Sequence, residues 1–190
     1  MRLALIPALL LTIASAAAQA ADTYAIDPVT SSALFRVKHF NVAYFHGTFN
    51  VVKPESSLVW DETTPANSKV EIIVDAASVD SRNEKRDAHL ANPDFFDAKQ
   101  FPVLKFTSTA VKAVDATRFE VAGQFTMHGV TKPLTITVTK TGEGKDPKGA
   151  HRIGFETVFM IKRSDYGMDK MLENIGDEVT ITFSTEGIRK

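Results

Sequence analysis

The sequence has no cysteine. That removes disulfides, thiolate nucleophiles and cysteine-based zinc sites together. Charge of one sign is also lacking: 22 Lys and Arg stand against 23 Asp and Glu, a formal net charge of −1. No basic surplus draws the chain towards nucleic acid. No apolar run reaches the ~20 residues that a membrane-spanning helix needs. The longest, Leu3 to Ile13, is short and interrupted by Pro7. No serine sits in a Gly-x-Ser-x-Gly elbow. The five histidines (39, 46, 89, 128 and 151) show no His-x-His or His-x-x-x-His pair, so no metal or other cofactor is expected. His39 and His46 could meet across a hairpin, but two ligands make a poor site. Internal repeats, low-complexity tracts and linkers are absent as well.

The first twenty residues read as an address. Arg2 supplies a positive start, Leu3 to Ile13 an apolar stretch, and Ala18-Gln19-Ala20 a small-x-small cleavage site. That order is a secretory signal peptide at residues 1–20, cut after Ala20. No cysteine follows the site, which argues against lipoprotein processing. Residues 21–190 are then long enough for one domain with a full core.

What fills those residues is alternation. Ala33, Phe35 and Val37 point one way while Arg36 and Lys38 point the other. The same period of two runs through Phe45–Val51, Val70–Val74, Leu104–Phe106, Phe119–Met127, Leu134–Val138, Ile153–Ile161 and Val179–Thr185. Eight strands with short connections predict an all-β, antiparallel barrel. Gly142 to Gly149 reads as a hairpin tip, and Gly129 opens a tighter turn carried through Thr131-Lys132-Pro133. Ser81-Arg82-Asn83-Glu84 matches a capping box and opens a short helix that ends before Asn92-Pro93. A second helical turn over 94–99 and an irregular segment over 165–177 would cover an end of the barrel.

Nine of the thirteen phenylalanines lie on the inward-facing positions. Eight strands is the size at which a barrel either fills itself with side chains or holds one small ligand. Strands of about 10 residues, tilted ~40°, give a barrel on the order of 25 Å tall. Such a lumen would take an extended hydrocarbon chain lengthwise, with Gly47 and Gly123 leaving room on its wall. An apolar inward face is equally what a filled barrel requires.

Several local motifs, in order, carry a resemblance. Tyr24-Ala25-Ile26-Asp27 precedes Phe35-Arg36-Val37-Lys38-His39, and Ala76-Ala77-Ser78-Val79-Asp80 leads to Arg86-Asp87-Ala88-His89-Leu90. Then come Asp94-Phe95-Phe96-Asp97, Phe101-Pro102 with Lys105-Phe106-Thr107-Ser108, His128-Gly129-Val130-Thr131-Lys132-Pro133, and Arg163-Ser164-Asp165-Tyr166-Gly167. Together they resemble the YceI-like family of polyisoprenoid-binding proteins across nearly all of residues 21–190. The resemblance implies a lipocalin-like barrel of eight antiparallel strands, with one or two short helices covering an end. It also implies export to the periplasm and an amphiphile threaded through the lumen, such as an isoprenoid quinone, a prenyl chain or a fatty-acid derivative. The family often has a His-Ser pair after the opening Asp, where this chain has Thr30-Ser31-Ser32.

The candidate ligand-binding residues are Phe35, Val37, His39, Phe45, Phe49, Ile72, Phe106, Phe119, Phe125, Phe155, Phe159, Arg163 and Phe183. Arg163 is read either as part of a turn or as a contact to a lipid head. Arg86 and His89, three apart on one helix, can pair or cap a loop, and no nucleophile accompanies them, so no catalysis is expected. Lys38-His39-Phe40 and Phe45-His46 suit a mouth, and Trp60 a plug or cover at an end. Two other readings share this barrel: a lipid-modifying enzyme, and a ligand-free stress-response or interaction protein. Transient membrane contact and a homodimer are compatible with a carrier, but no residue pattern argues for either.

Overall fold

The computed structural model describes residues 21–190, so the expected signal peptide lies outside the described residues. The chain runs through β1 (Asp22–Ile26), β2 (Ser32–His39), β3 (Ala43–Phe49), β4 (Ser57–Trp60), β5 (Lys69–Asp75) and β6 (Val79–Asp80), then the helix α1 (Glu84–Leu90). It continues through β7 (Val103–Ala113), β8 (Arg118–Met127), β9 (Val130–Lys145), β10 (His151–Lys162) and β11 (Ile175–Arg189). Every pairing is antiparallel, and β1 pairs with β11 to close the sheet on itself. The expected eight-stranded barrel is present.

Alternation misses part of how the ring is built. The first two staves are each made of two pieces. β1 and β2 both lie along β11, while β3 and β4 fold back on them in a single register, from His39↔Ala43 to Asp22↔Trp60. Asp27-Pro28 interrupts the first stave and Pro54 the second, since proline donates nothing to a ladder. The five residues between Ile26 and Ser32 oppose only two on β11, those between Gly187 and Ser184. β1 and β4 are each too short to show a period of their own.

Three local expectations are corrected. The helix cap is Asn83, whose Oδ1 accepts from the Arg86 N–H at 3.0 Å. Ser81 instead turns inward, where its N–H donates to Asp87 Oδ1 at 2.7 Å. Residues 94–99 form successive turns, not helix. The β8–β9 connection is just His128-Gly129, both left-handed (φ 51° and 74°), as a two-residue hairpin of matching twist requires. Pro133 therefore lies inside β9, facing Gln124 of β8.

Between β9 and β10 the ladder stops at Thr157↔Val138. Beyond it, residues 130–137 pair only with β8 and residues 158–162 only with β11. Pro133 is tolerated there because its missing N–H faces no partner strand. At the fork the buried Thr157 hydroxyl donates to the Thr137 carbonyl at 2.8 Å, satisfying an acceptor at the end of the ladder. The ring is thus fully laced at one end and parted at the other.

The laced end is closed by a buried apolar set. Tyr24, Ile26, Leu58, Trp60, Phe119, Val121 and Ile153 are all buried there. The Trp60 ring sits edge-on to Phe119 at 4.7 Å and to Phe155 at 5.1 Å. Trp60 plugs this end from within the wall.

Outside the plug, Arg152 ties together Asp27 (2.7 Å), Glu186 (2.9 Å) and Asp146 (3.1 Å). The Arg152 guanidinium holds the Asp27 and Asp146 carboxyls below their usual range. A carboxylate with a depressed folded pKa stabilises the protein above its unfolded pKa of ~4, and that contribution disappears as pH falls through the folded value. Melting temperature should therefore fall more steeply below pH 4 in the native protein than in Arg152→Gln. Parallel curves for the two would show that this cluster contributes nothing.

Gly47 and Gly123 lie on the inward face, but neither leaves empty space. A Cβ at Gly47 would collide with the Phe35 ring, and one at Gly123 would come within 2.5 Å of Phe106 Cζ and 2.6 Å of the Thr107 carbonyl. Each glycine makes clearance for a ring from the neighbouring strand.

Candidate functional site

The parted half of the barrel encloses a cavity of about 300 Å³. Its wall is the inward set of β2, β3, β5, β7, β8, β10 and β11, with Ile136 of β9. Eleven of the thirteen candidate residues line it. Phe119 and Phe155 do not: they border a smaller cavity of about 80 Å³ above the Trp60 plug. Ile72, Phe106, Ile136, Thr157 and Phe183 border both spaces, forming a collar between them. The long axis therefore runs mouth, main cavity, collar, small cavity, plug.

The mouth is built from three connections. The β2–β3 turn carries Phe40 and Asn41 in left-handed backbone (φ 48° and 55°), and the Phe40 N–H donates to the Asn174 carbonyl at 2.6 Å. The α1 segment brings His89 and Arg86, followed by Phe95 and Phe96. Phe96 packs edge-on against Phe49 at 5.1 Å. Alternation does not mark these two phenylalanines as lining residues, because a pair of aromatics in a turn follows no period. The β10–β11 connection supplies Met168 and Met171, likewise invisible to alternation.

Arg163 begins this last connection and is 3 % exposed. Nε donates to the Gly176 carbonyl (3.0 Å), Nη1 to Met168 (2.6 Å) and Nη2 to Ile175 (2.8 Å). It braces the loop from inside, while Ser164 is held by Asp177 through its N–H (2.9 Å) and its hydroxyl (2.8 Å). Burial pulls the Arg163 pKa down, though an arginine stays protonated throughout. It also lines the cavity, so both readings of this residue find a geometric basis.

Arg86 and His89 do not pair with each other. Arg86 donates to Ser81 Oγ (2.8 Å) and to the Ser81 carbonyl (2.7 Å), with its guanidinium 4.2 Å over the Phe45 ring. His89 Nε2 lies 3.2 Å from Asp94 Oδ2 at the surface. His39 stands opposite Ala43 and His46 opposite Arg36, so these two are not cross-strand neighbours. The His39 ring packs on Phe40 at 4.1 Å. Among the described residues that line the cavity, Thr157 alone carries a hydroxyl.

A closed up-and-down barrel around an apolar cavity defines the lipocalin-like class. Residues 24–187 match the YceI-like domain. The UPF0312 protein of Yersinia enterocolitica is 38% identical over 177 residues, covering 92% of this chain and 91% of that protein. The UPF0312 protein of Pseudomonas aeruginosa is 38% identical over 175 residues, covering 91% and 90%. Among solved structures, BcnA of Burkholderia cenocepacia superposes with a TM-score of 0.76 at 25% identity, covering 85% of this chain and 98% of BcnA. A polyisoprenoid-binding domain from Saccharophagus degradans shares the fold, with a TM-score of 0.67 at 17% identity, covering 88% and 98%. This chain belongs to the YceI-like family.

Proposed function

We propose that the protein is a periplasmic carrier or store for an isoprenoid-type amphiphile, a quinone or prenyl chain held lengthwise in the lumen, without catalysis. The observation that carries this reading is the cavity itself. It is apolar along its length, narrows at the collar towards the small cavity and its Trp60 plug at one end, and has its charged lining residues near the other. Burying hydrocarbon there is worth ~0.8 kcal/mol per CH₂, so fifteen carbons give a gross gain on the order of 12 kcal/mol before the costs of binding. The polyisoprenoid-binding description of the Saccharophagus degradans domain supports the same ligand class. The signal-peptide pattern expected at residues 1–20 supports export to the periplasm. Exposed Phe40, Val42, Met171 and Leu172 surround the mouth and support transient contact with a membrane during exchange.

The enzyme reading has less to stand on. The His89–Asp94 pair is solvent-exposed, Asp87 is occupied by Ser81, and the Thr157 hydroxyl is committed to the Thr137 carbonyl. The filled-barrel reading must explain about 300 Å³ of apolar space. The test is gentle purification from the periplasm, solvent extraction and mass spectrometry of the extract. A stoichiometric long-chain isoprenoid is expected. A reproducibly empty protein that also fails to take up prenyl lipids overturns the proposal.

A further inference from the structure

We infer that the ligand chain enters and leaves the lumen sideways, through the slit where β9 and β10 part. The inference rests on the carrier reading above and adds to it the route of exchange. The slit starts at the Thr157–Thr137 bond and runs along residues 158–162 of β10. Five residues at ~3.3 Å rise make it on the order of 16 Å long. Val158 and Met160 on one lip, and Thr135 and Thr137 on the other, are exposed on its outer face. Behind it stand Ile136 on the β9 lip and Phe159 and Ile161 on the β10 lip, and all three line the main cavity. Among the described residues, no ladder bond crosses the wall here.

A second flank also lacks a ladder: residues 43–47 of β3 pair only with β2. There the α1 segment packs in, with Arg86 4.2 Å over the Phe45 ring and Phe96 5.1 Å from Phe49. Folded proteins pair, cover or charge their sheet edges. Between Val158 and Ile161 the β10 edge is neither paired, covered nor charged. On the facing lip Pro133 removes a donor, which disfavours an added strand as occupant. A hydrocarbon chain needs no donor.

The physical cost points the same way. Widening a laced flank breaks main-chain hydrogen bonds, whereas widening this one loses apolar contacts that the passing chain replaces. At the mouth end the slit is fastened by Lys132 to Asp165 at 3.2 Å and by His128 Nδ1 donating to the Tyr166 carbonyl at 3.1 Å. An exposed ion pair and one hydrogen bond make a light catch. The mouth itself is tied more firmly, by the three bonds of Arg163 and the Phe40–Asn174 bond between its connections.

The sequence has no cysteine, so Thr137→Cys with Val158→Cys allows one defined link across the slit, made with a disulfide-containing bis-maleimide. Asn41→Cys with Glu173→Cys links two connections of the mouth in the same way. The probe is a menaquinone with four prenyl units, followed in stopped flow by quenching of Trp60, the single tryptophan. Linking the slit should slow uptake and release alike, by roughly tenfold or more, and leave Kd within about twofold. Reducing the linker should restore both rates. Linking the mouth should change neither. Rates indifferent to the slit link, or slowed equally by both links, overturn the sideways route and leave the carrier reading standing. No binding of the probe by the delipidated native protein overturns both.

Discussion

Replacing Trp60 with alanine should lengthen the lumen and destabilise the protein at the same time. Trp60 is 6 % exposed, and its ring closes the floor of the small cavity against Phe119 and Phe155. Removing it joins that floor to the space the indole occupied. A core Trp→Ala substitution costs about 3–5 kcal/mol, which for a domain of this size lowers Tm on the order of 10 °C. The functional readout is affinity against chain length. In the native barrel each added carbon should help, by about 0.8 kcal/mol or roughly fourfold, until the chain end meets the plug. Trp60→Ala should move that plateau to longer chains, and Trp60→Phe should move it less. A plateau that stays where it was would show that the collar at Phe106 and Phe183 sets the depth instead.

Arg163→Ala should be as damaging, for a different reason. The side chain is buried, and three carbonyls of the β10–β11 connection depend on its donors. Truncation leaves those acceptors unpaired at about 1–3 kcal/mol each where water cannot reach. A total loss of about 3 kcal/mol or more, and a Tm lower by on the order of 10 °C, follows. Amide exchange should accelerate over residues 168–176 before it does in the strands. Arg163→Lys keeps the charge but not the fork geometry, so it should recover only part of the loss. A Tm within a degree or two of native would mean that Ser164–Asp177 holds the connection alone.

Both predictions concern places where sequence and structure speak with different strength. Phe35, Phe49, Phe106, Phe125 and Phe183 were legible as inward residues, because a strand sends alternate side chains to opposite faces whatever surrounds it. The eight periodic segments were legible for the same reason. Trp60 was harder. β4 is four residues long, so no alternation accompanied it, and only the pairing of β4 with β1 and β5 turns its ring inward. Ser81 had the spacing of a cap, yet Asn83 took that role. Ser81 found better partners in Asp87 and Arg86, which the fold brought to it.

The glycines show the same limit. Gly47 and Gly123 were visible as gaps in an apolar face, but a missing side chain does not say what enters the gap. Rings from neighbouring strands did. Phe119 and Phe155 have the same pattern as Phe125 and Phe159, yet the first pair borders the packed end and the second the open cavity.

A chain of amphipathic strands, the face each one buries, and an apolar interior follow from local geometry and side-chain chemistry, which the order of residues carries unaided. The sequence motifs also indicated the family. Contacts between distant residues set where that interior is wide and where it narrows. That depends on β9 and β10 parting beyond Thr157, on Trp60 entering one end, and on Arg163 bracing the other. Each is a contact between residues far apart in the chain, and whether space is filled is a property of all the walls at once.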